Sequence, residues 1–130
     1  MDTRSVTDVD LTRSIIGAAI EVHKDKGPGL IESIYEWCLL CELRLQGLST
    51  QTQRVVRIQY KEFEREDSLR FDMLVEKRVL VEVKSIERIL PIHQAQLLSY
   101  MKLLNVPAGL LINFNVSLLS EGVIRLRLPD

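Results

Sequence analysis

Two acidic residues and one lysine occupy neighbouring stretches of sequence that have the alternating pattern of β-strands. Asp72 lies in the stretch 69–75, and Glu82 and Lys84 lie in the stretch 79–84. Carboxylates on adjacent strands repel each other and need a positive partner, which is either a basic side chain or a divalent cation. Because Mg²⁺ binds carboxylate oxygens together with water, one interpretation of this spacing is a metal site, with Lys84 beside the metal to orient a water or neutralise developing charge.

The turn between these two strands fixes their predicted register. If residues 76–78 form a three-residue loop, the apolar side chains of both strands fall on one continuous face. A slip of one residue would mix polar and apolar side chains on that face, so the hydrophobic pattern selects this register. The predicted cross-strand neighbours are Phe71 with Val83, Asp72 with Glu82, and Arg70 with Lys84.

The same spacing leaves a second interpretation open. Arg70 and Lys84 would then compensate the two acids in a half-exposed ion network on the solvent face of the hairpin, without any metal. Nine residues separate Asp72 from Glu82. Taken by itself, the pattern Asp-x₉-Glu-x-Lys is weak evidence for a metal site.

The chain before these strands predicts two helices. Thr7 begins a capping box ahead of a helical apolar run, and the segment 27–29, Gly-Pro-Gly, ends that helix. A second helix is predicted over 30–46, with an apolar stripe formed by Ile34, Cys38, Cys41 and Leu45. Because no further metal ligand lies near them in sequence, we interpret the two cysteines as reduced, buried core residues.

The rest of the chain alternates strands with one more helix. The remaining predicted elements are strands over 56–60, 108–114 and 123–128 and a helix over 91–104, with the charged stretch 61–67 as a turn or loose hairpin end. Leu97, Met101 and Leu104 should face the core. The segment 79–114, strand-helix-strand, predicts a parallel crossover. This order predicts an α/β fold with a mixed β-sheet flanked by helices.

Composition and charge narrow the functional classes. The 130 residues predict a single domain over 1–130, and the net charge of −1 argues against a protein that coats nucleic acid non-specifically. It does not exclude an enzyme that contacts a few phosphates around a metal. The apolar run 106–116 is too short to span a membrane, and the first ten residues lack the apolar core of a leader peptide. We therefore expect a cytoplasmic protein without membrane association.

Five ordered blocks, which together span about 11–128, resemble one known family. They are Gly29-Leu30-Ile31-Glu32-Ser33-Ile34-Tyr35, Arg70-Phe71-Asp72, Glu82-Val83-Lys84, the run 93–100 and the run 109–114. The chain resembles the GxxExxY proteins of the PD-(D/E)XK nuclease superfamily, with Lys61-Glu62 where these proteins often have Lys-Gly. The resemblance implies a PD-(D/E)XK restriction-endonuclease-like core of order αβββαβ, which agrees with the order predicted from periodicity.

The resemblance also implies a site for Mg²⁺ or Mn²⁺. Asp72 and Glu82 would be metal ligands, the main-chain carbonyl of Val83 would add a ligand, and Glu32 on the second helix would complete the shell. Glu36, one turn further on the same face, is the competing candidate for this helical acid. Without the family, Glu32 is explained as an acid in the first turn that stabilises the helix dipole.

Hydrolysis of nucleic acid, most of all DNA, is the activity that the resemblance implies. Lys84 would be the catalytic lysine, and Gln96 and Tyr100 would form the Gln-x-x-x-Tyr element that positions the site or the substrate. Simpler interpretations are core packing for Tyr35 and a hydrogen-bond network at a helix start for His93. The alternative function is a catalytically silent binding or assembly module on the same fold. A homodimer or a targeting partner is compatible with a domain of this size.

Overall fold

A five-stranded mixed sheet with helices on both faces forms the structure, a computed structural model that describes residues 7–129. The strands lie in the order β1-β2-β3-β4-β5; β3 and β4 are parallel, and all other neighbours are antiparallel. The elements are α1 (Asp8–Lys26), α2 (Glu32–Leu45), β1 (Thr50–Tyr60), β2 (Phe63–Val75), β3 (Val79–Lys84), α3 (Pro91–Leu104), β4 (Ala108–Asn113), a 3-10 helix (Leu119–Gly122) and β5 (Val123–Arg127). The predicted α/β fold and the parallel β3-α3-β4 segment are confirmed.

The helices divide the core into two layers. On one face of the sheet, Ile15 of α1 and Tyr35 of α2 pack in the same buried cluster as Val81 of β3. On the other face, Leu97 of α3 packs in a second cluster with Leu80 of β3. Since side chains alternate along a strand, Glu82 and Lys84 lie on the same face of β3 as Leu80 and point toward α3.

The ends of α1 and the buried face of α3 follow the sequence pattern. The Thr7 hydroxyl accepts a hydrogen bond from the Asp10 N–H at 3.0 Å, and Gly27 ends α1 with a φ of 68°. As predicted, the buried residues of α3 are Leu97, Met101 and Leu104. Within residues 7–129, none of the helices has the length and apolarity that crossing a membrane requires.

The face that α2 buries differs from the predicted one. Its core residues are Tyr35, Leu39 and Leu43. Of the predicted stripe, Leu45 is 82% exposed and Ile34 is also exposed, while Cys38 and Cys41 are only half-buried free cysteines. Apolar residues occur on more than one side of this helix, so the helical period alone does not identify the side that meets the sheet.

The charged stretch 61–67 is mostly strand. Only Lys61 and Glu62 form the turn, and pairing of β1 with β2 continues as far as Tyr60 opposite Phe63. The hairpin formed by β1 and β2 extends beyond β3, which pairs with β2 only along residues 73–75. Charged side chains are compatible with these strands because both faces of the extension are largely exposed to water, so the predicted loose turn is wrong.

Candidate active site

An irregularity in β2 determines the position of Asp72. Backbone pairing with β3 follows the predicted register up to Met73 opposite Val81 and ends there. Beyond that point, Oδ2 of Asp72 accepts a hydrogen bond from the Val83 N–H at 2.7 Å. The pairing of β1 with β2 is irregular at the same level, between Gln51 and Gln53. The Asp72 side chain therefore replaces a backbone partner of β3.

This irregularity changes two of the predicted neighbours. Phe71 packs against the cluster on the α3 face, whereas Val83 belongs to the cluster on the α1 and α2 face, so their predicted pairing is wrong. Asp72 and Glu82 are not partners in the regular ladder either. Both nevertheless line one pocket, so the two carboxylates lie close together as predicted, although they are not paired across the ladder.

Lys84 lies beside both carboxylates. Its Nζ is 3.6 Å from Oε1 of Glu82, and the two side chains are only 17% and 27% exposed. The positive charge of Lys84 also lowers the pKa of Asp72, although burial outweighs this effect. An ion pair this far from bulk water is less screened than a surface pair.

Burial raises the pKa of both carboxyl groups. Desolvation is the largest cause for Asp72 and for Glu82, and the negative charge of Asp72 raises the pKa of Glu82 further. Lys84 opposes both shifts, and the hydrogen bond from Val83 opposes the shift at Asp72. The upward direction means that burial outweighs the effect of Lys84 on both acids, and a bound cation would favour their charged forms.

Two further carboxylates reach this region from α2. Oε2 of Glu32 accepts a hydrogen bond from the Ser85 N–H at 3.3 Å, directly after β3. The pKa of Glu36 is raised by burial first, and then by the charges of Asp72 and Glu32. Both candidates for the helical acid thus lie near Asp72, and Glu32 is the one that is tied to the end of β3.

Tyr35 anchors the start of α2. Its hydroxyl donates a hydrogen bond to the Gly27 carbonyl and accepts one from the Leu30 N–H at 3.1 Å, and its ring stacks on Phe114 with 4.6 Å between centroids. Because Tyr35 is fully buried, its interpretation as core packing is confirmed. Ser85 adds a link from the end of β3, since its hydroxyl donates to the Leu30 carbonyl.

The segment after Lys84 is held by a buried amide that sequence reasoning did not single out. Asn113, which is 2% exposed, accepts a hydrogen bond from the Ile86 N–H at 3.1 Å and donates one to the Ile86 carbonyl at 2.9 Å. The signal was present as a polar residue at the end of an otherwise apolar strand. At the start of α3, Nδ1 of His93 accepts a hydrogen bond from the Leu90 N–H, which confirms the predicted network.

Gln96 and Tyr100 reach the same pocket as the two carboxylates. They are one helical turn apart on α3, and both line the pocket that Asp72 and Glu82 line from the sheet. The pocket has a volume of about 150 Å³. One pocket therefore brings together four residues that the sequence analysis proposed for the site: Asp72, Glu82, Gln96 and Tyr100. Lys84 lies next to Glu82, and the charge of Glu32 acts on Asp72.

The donor set fits a hard divalent cation that keeps part of its water shell. Among residues 7–129, no three acidic, histidine or cysteine side chains converge in an arrangement that would hold a metal by themselves. Mg²⁺, however, is often bound through one or two carboxylates, with water completing the octahedron. Asp72 and Glu82 supply two half-buried carboxylates in one pocket.

Comparison with known proteins assigns the family. No curated protein matches this chain. A crystal structure of SSO0001 is similar at 14% identity and a TM-score of 0.49, over 92% of this chain and 79% of that one. A family model described as the PD-(D/E)XK nuclease superfamily matches residues 9–126, a range that contains every site residue named above. The chain belongs to the PD-(D/E)XK nuclease superfamily.

Proposed function

We propose that the protein is a nuclease that hydrolyses phosphodiester bonds of nucleic acid, DNA in particular, with Mg²⁺ or Mn²⁺ as its cofactor. One observation carries the proposal: Asp72 and Glu82 line one pocket, and Lys84 lies 3.6 Å from Glu82. Both carboxyl pKa values are raised, with burial as the largest cause, and perturbed acids that share a pocket are typical of functional sites.

Asp72, Glu82 and the main-chain carbonyl of Val83 would hold the metal ion. The N–H and C=O groups of one strand residue point to the same side of the strand. Because the Val83 N–H points to Asp72, the Val83 carbonyl lies on the Asp72 side as well. A bound Mg²⁺ would supply the positive charge that acidifies a water molecule and stabilises the phosphate oxygens.

Glu32 is the helical acid that we propose as the further ligand, through a metal-bound water, because no three such side chains converge within residues 7–129. Its carboxylate accepts a hydrogen bond from the N–H of Ser85, the residue that follows Lys84 at the end of β3. Glu36 has no such link to β3 among the hydrogen bonds within residues 7–129, although the negative charge of Asp72 adds to burial in raising its pKa. Comparing Glu32→Gln with Glu36→Gln in Mn²⁺ titrations distinguishes the two.

Lys84 would act on the phosphate or on the attacking water. Its ammonium group is a mobile donor, and its pairing with Glu82 keeps it beside the carboxylates. From there it would orient the water for in-line attack or neutralise the charge that develops on the phosphate oxygens. Gln96 and Tyr100, on the α3 side of the pocket, would position the substrate.

Cleavage of single- and double-stranded DNA and RNA in the presence of Mn²⁺ tests the proposal. We expect the wild-type protein to cut at least one of these substrates and Lys84→Ala to lose at least 100-fold in rate, in line with the loss of one preorganised charge-stabilising group. Lys102→Ala, an exposed lysine of α3, is the matched control and should cut as the wild type does. Equal cleavage by wild type and Lys84→Ala would indicate a contaminating nuclease.

A catalytically silent binding or assembly module is the second candidate, and the lack of a convergent three-residue ligand group within residues 7–129 favours it. Metal binding is measured separately from cleavage by the rise in melting temperature that Mn²⁺ produces, because a ligand of the folded state stabilises it. Glu82→Ala should abolish this rise. A Mn²⁺-dependent rise in the wild type without cleavage of any substrate would support the module, and an unchanged rise in Glu82→Ala would remove the proposed metal site.

A further inference from the structure

We infer that the pocket beside Asp72 and Glu82 receives one unpaired nucleobase, so that the substrate is single-stranded DNA. The inference deepens the proposed nuclease function and rests on it. It concerns a different part of the site, namely the aromatic and amide side chains on the α3 side of the carboxylates.

The pocket has the dimensions and the walls of a site for one planar ring system. Phe71 of β2 and Tyr100 of α3 line it, and the buried side chains of Leu80 and Leu97 provide apolar surface. Its volume of about 150 Å³ is well below the roughly 300–1,000 Å³ of sites that enclose drug-sized ligands. A pocket of this size suits a single ring system better than a whole nucleotide or a base pair, and a ring in contact with aromatic side chains gains stacking.

The irregularity of β2 is what turns Phe71 into this pocket. Regular pairing would place Phe71 opposite Val83, on the face that α1 and α2 cover. Instead, the ladder ends at Met73, and Phe71 packs on the α3 face. The same break gives Asp72 its hydrogen bond to Val83, so one distortion sets both a carboxylate and an aromatic wall.

The polar side chains of the pocket suit the edge of a base. Gln96 and Arg70 line it and are both exposed, so their polar groups face water. A glutamine amide offers both a donor and an acceptor, and arginine offers several donors. Because rotation of the amide adapts it to different bases, the pocket selects for a base that is free to enter rather than for one base type.

Base pairing and stacking decide which nucleic acid can fill the pocket. In a duplex, each base is paired along its edge and stacked on both faces, and it must be extruded before a protein can enclose it. Bases of a single strand stack on aromatic side chains without that cost. Since Asp72 and Glu82 form part of the same wall, the enclosed base belongs to a nucleotide next to the bond that is cut.

Binding is measured with DNA oligonucleotides that carry 2-aminopurine, alone or annealed to their complement. The protein is Lys84→Ala in the presence of Mn²⁺, so that cleavage does not consume the DNA. We expect the single strand to bind at least 10-fold more tightly than the duplex and its fluorescence to be quenched by stacking. Phe71→Leu should raise Kd for the single strand about 10-fold, the effect of losing one base–aromatic stack.

Two further variants separate the pocket from general effects. Phe63→Leu makes the same change at an exposed ring beside the β1–β2 turn and should leave Kd unchanged. Gln96→Ala alters an exposed pocket residue that does not support the fold, and it should weaken single-strand binding about 3-fold or more. Melting curves check that Phe71→Leu remains folded. If it does not, the effect of Gln96→Ala on Kd for the single strand tests the base pocket.

Each outcome separates the pocket from the nuclease activity. Equal affinity for duplex and single strand, or unchanged Kd in both pocket variants, overturns the base pocket, while Lys84-dependent cleavage would still support the nuclease. Tight single-strand binding that depends on Phe71 and Gln96, without cleavage by the wild type, supports the pocket and rejects the nuclease. Absence of binding to any of the oligonucleotides overturns the inference.

Discussion

Tyr35→Phe tests how the core holds the start of α2. The change removes only the hydroxyl group, which donates to the Gly27 carbonyl and accepts from the Leu30 N–H. The ring stays in place, stacked on Phe114 with 4.6 Å between centroids. No cavity of appreciable size is created, so the effect on stability comes from the two hydrogen bonds alone.

The expected loss follows from those two bonds. An intramolecular hydrogen bond contributes about 0.5–1.5 kcal/mol net, so Tyr35→Phe should lower the free energy of unfolding by about 1–3 kcal/mol. The effect should reach the site as well, because Leu30 is also bound by Ser85, whose N–H holds Glu32. If Glu32 is a metal ligand, loosening this segment raises the Mn²⁺ concentration needed for half-maximal cleavage.

Urea denaturation followed by circular dichroism measures the loss in stability. Tyr60→Phe is the matched control, because Tyr60 is an exposed tyrosine at the β1–β2 turn, and its stability should stay within about 0.5 kcal/mol of wild type. A Tyr35→Phe protein within the same margin of wild type would refute the reasoning. So would a Tyr60→Phe protein that loses as much as Tyr35→Phe.

Three more predictions concern the site and its supports. First, because the pKa values of Asp72 and Glu82 are raised above 3.8 and 4.5, the folded state binds more protons than the unfolded chain. Without divalent metal, the two carboxyl groups should stabilise the fold most at pH values below 3.8 and 4.5, and this contribution should be lost as the pH rises through their raised pKa values. The free energy of unfolding, measured with urea at several pH values, should fall less in Glu82→Gln than in the wild type. Second, Asn113→Ala should cost about 2–4 kcal/mol in urea denaturation, since it removes the acceptor of the Ile86 and Asn115 N–H groups and one of the two donors to the Ile86 carbonyl, which keeps only Asn115; a loss below 1 kcal/mol would contradict this role. Third, Gly109→Ala should cost about 1–3 kcal/mol, because the added Cβ would lie 2.6 Å from Sδ of Met101; an unchanged melting temperature would contradict this.

The fold was predictable where one side of an element is apolar and the other polar. Leu97, Met101 and Leu104 recur at helical spacing on α3, and they are the residues that the structure buries. The turn 76–78 and the apolar strands on either side of it likewise admit one register, which the structure confirms from Met73 to Val81. In both cases the hydrophobic pattern excludes the alternative faces or registers.

Where apolar residues occur on several sides of an element, the sequence pattern did not identify the side that is buried. On α2, Leu45 fits the helical period as well as Leu43 does, but Leu43 is buried and Leu45 is 82% exposed. The difference depends on how Tyr35 is fixed: its hydroxyl bonds Gly27, which lies outside the helix, and its ring stacks on Phe114, which is remote in sequence. Tertiary packing of this kind is not contained in the periodicity of a single segment.

The position of Asp72 shows why the candidate site was only partly predictable. Alternation along a strand indicated correctly that its carboxylate lies near Glu82, but it implied an undistorted ladder. In such a ladder the two negative charges would face each other without a new donor, at a cost that grows with burial. The structure departs from the ladder at that residue, and Oδ2 of Asp72 accepts the Val83 N–H instead. The break thus supplies a donor to one buried carboxylate, turns Phe71 toward α3 and frees the Val83 carbonyl from regular pairing with β2. Three features of the proposed site follow from a single local departure from regularity, which hydrophobic alternation by itself does not encode.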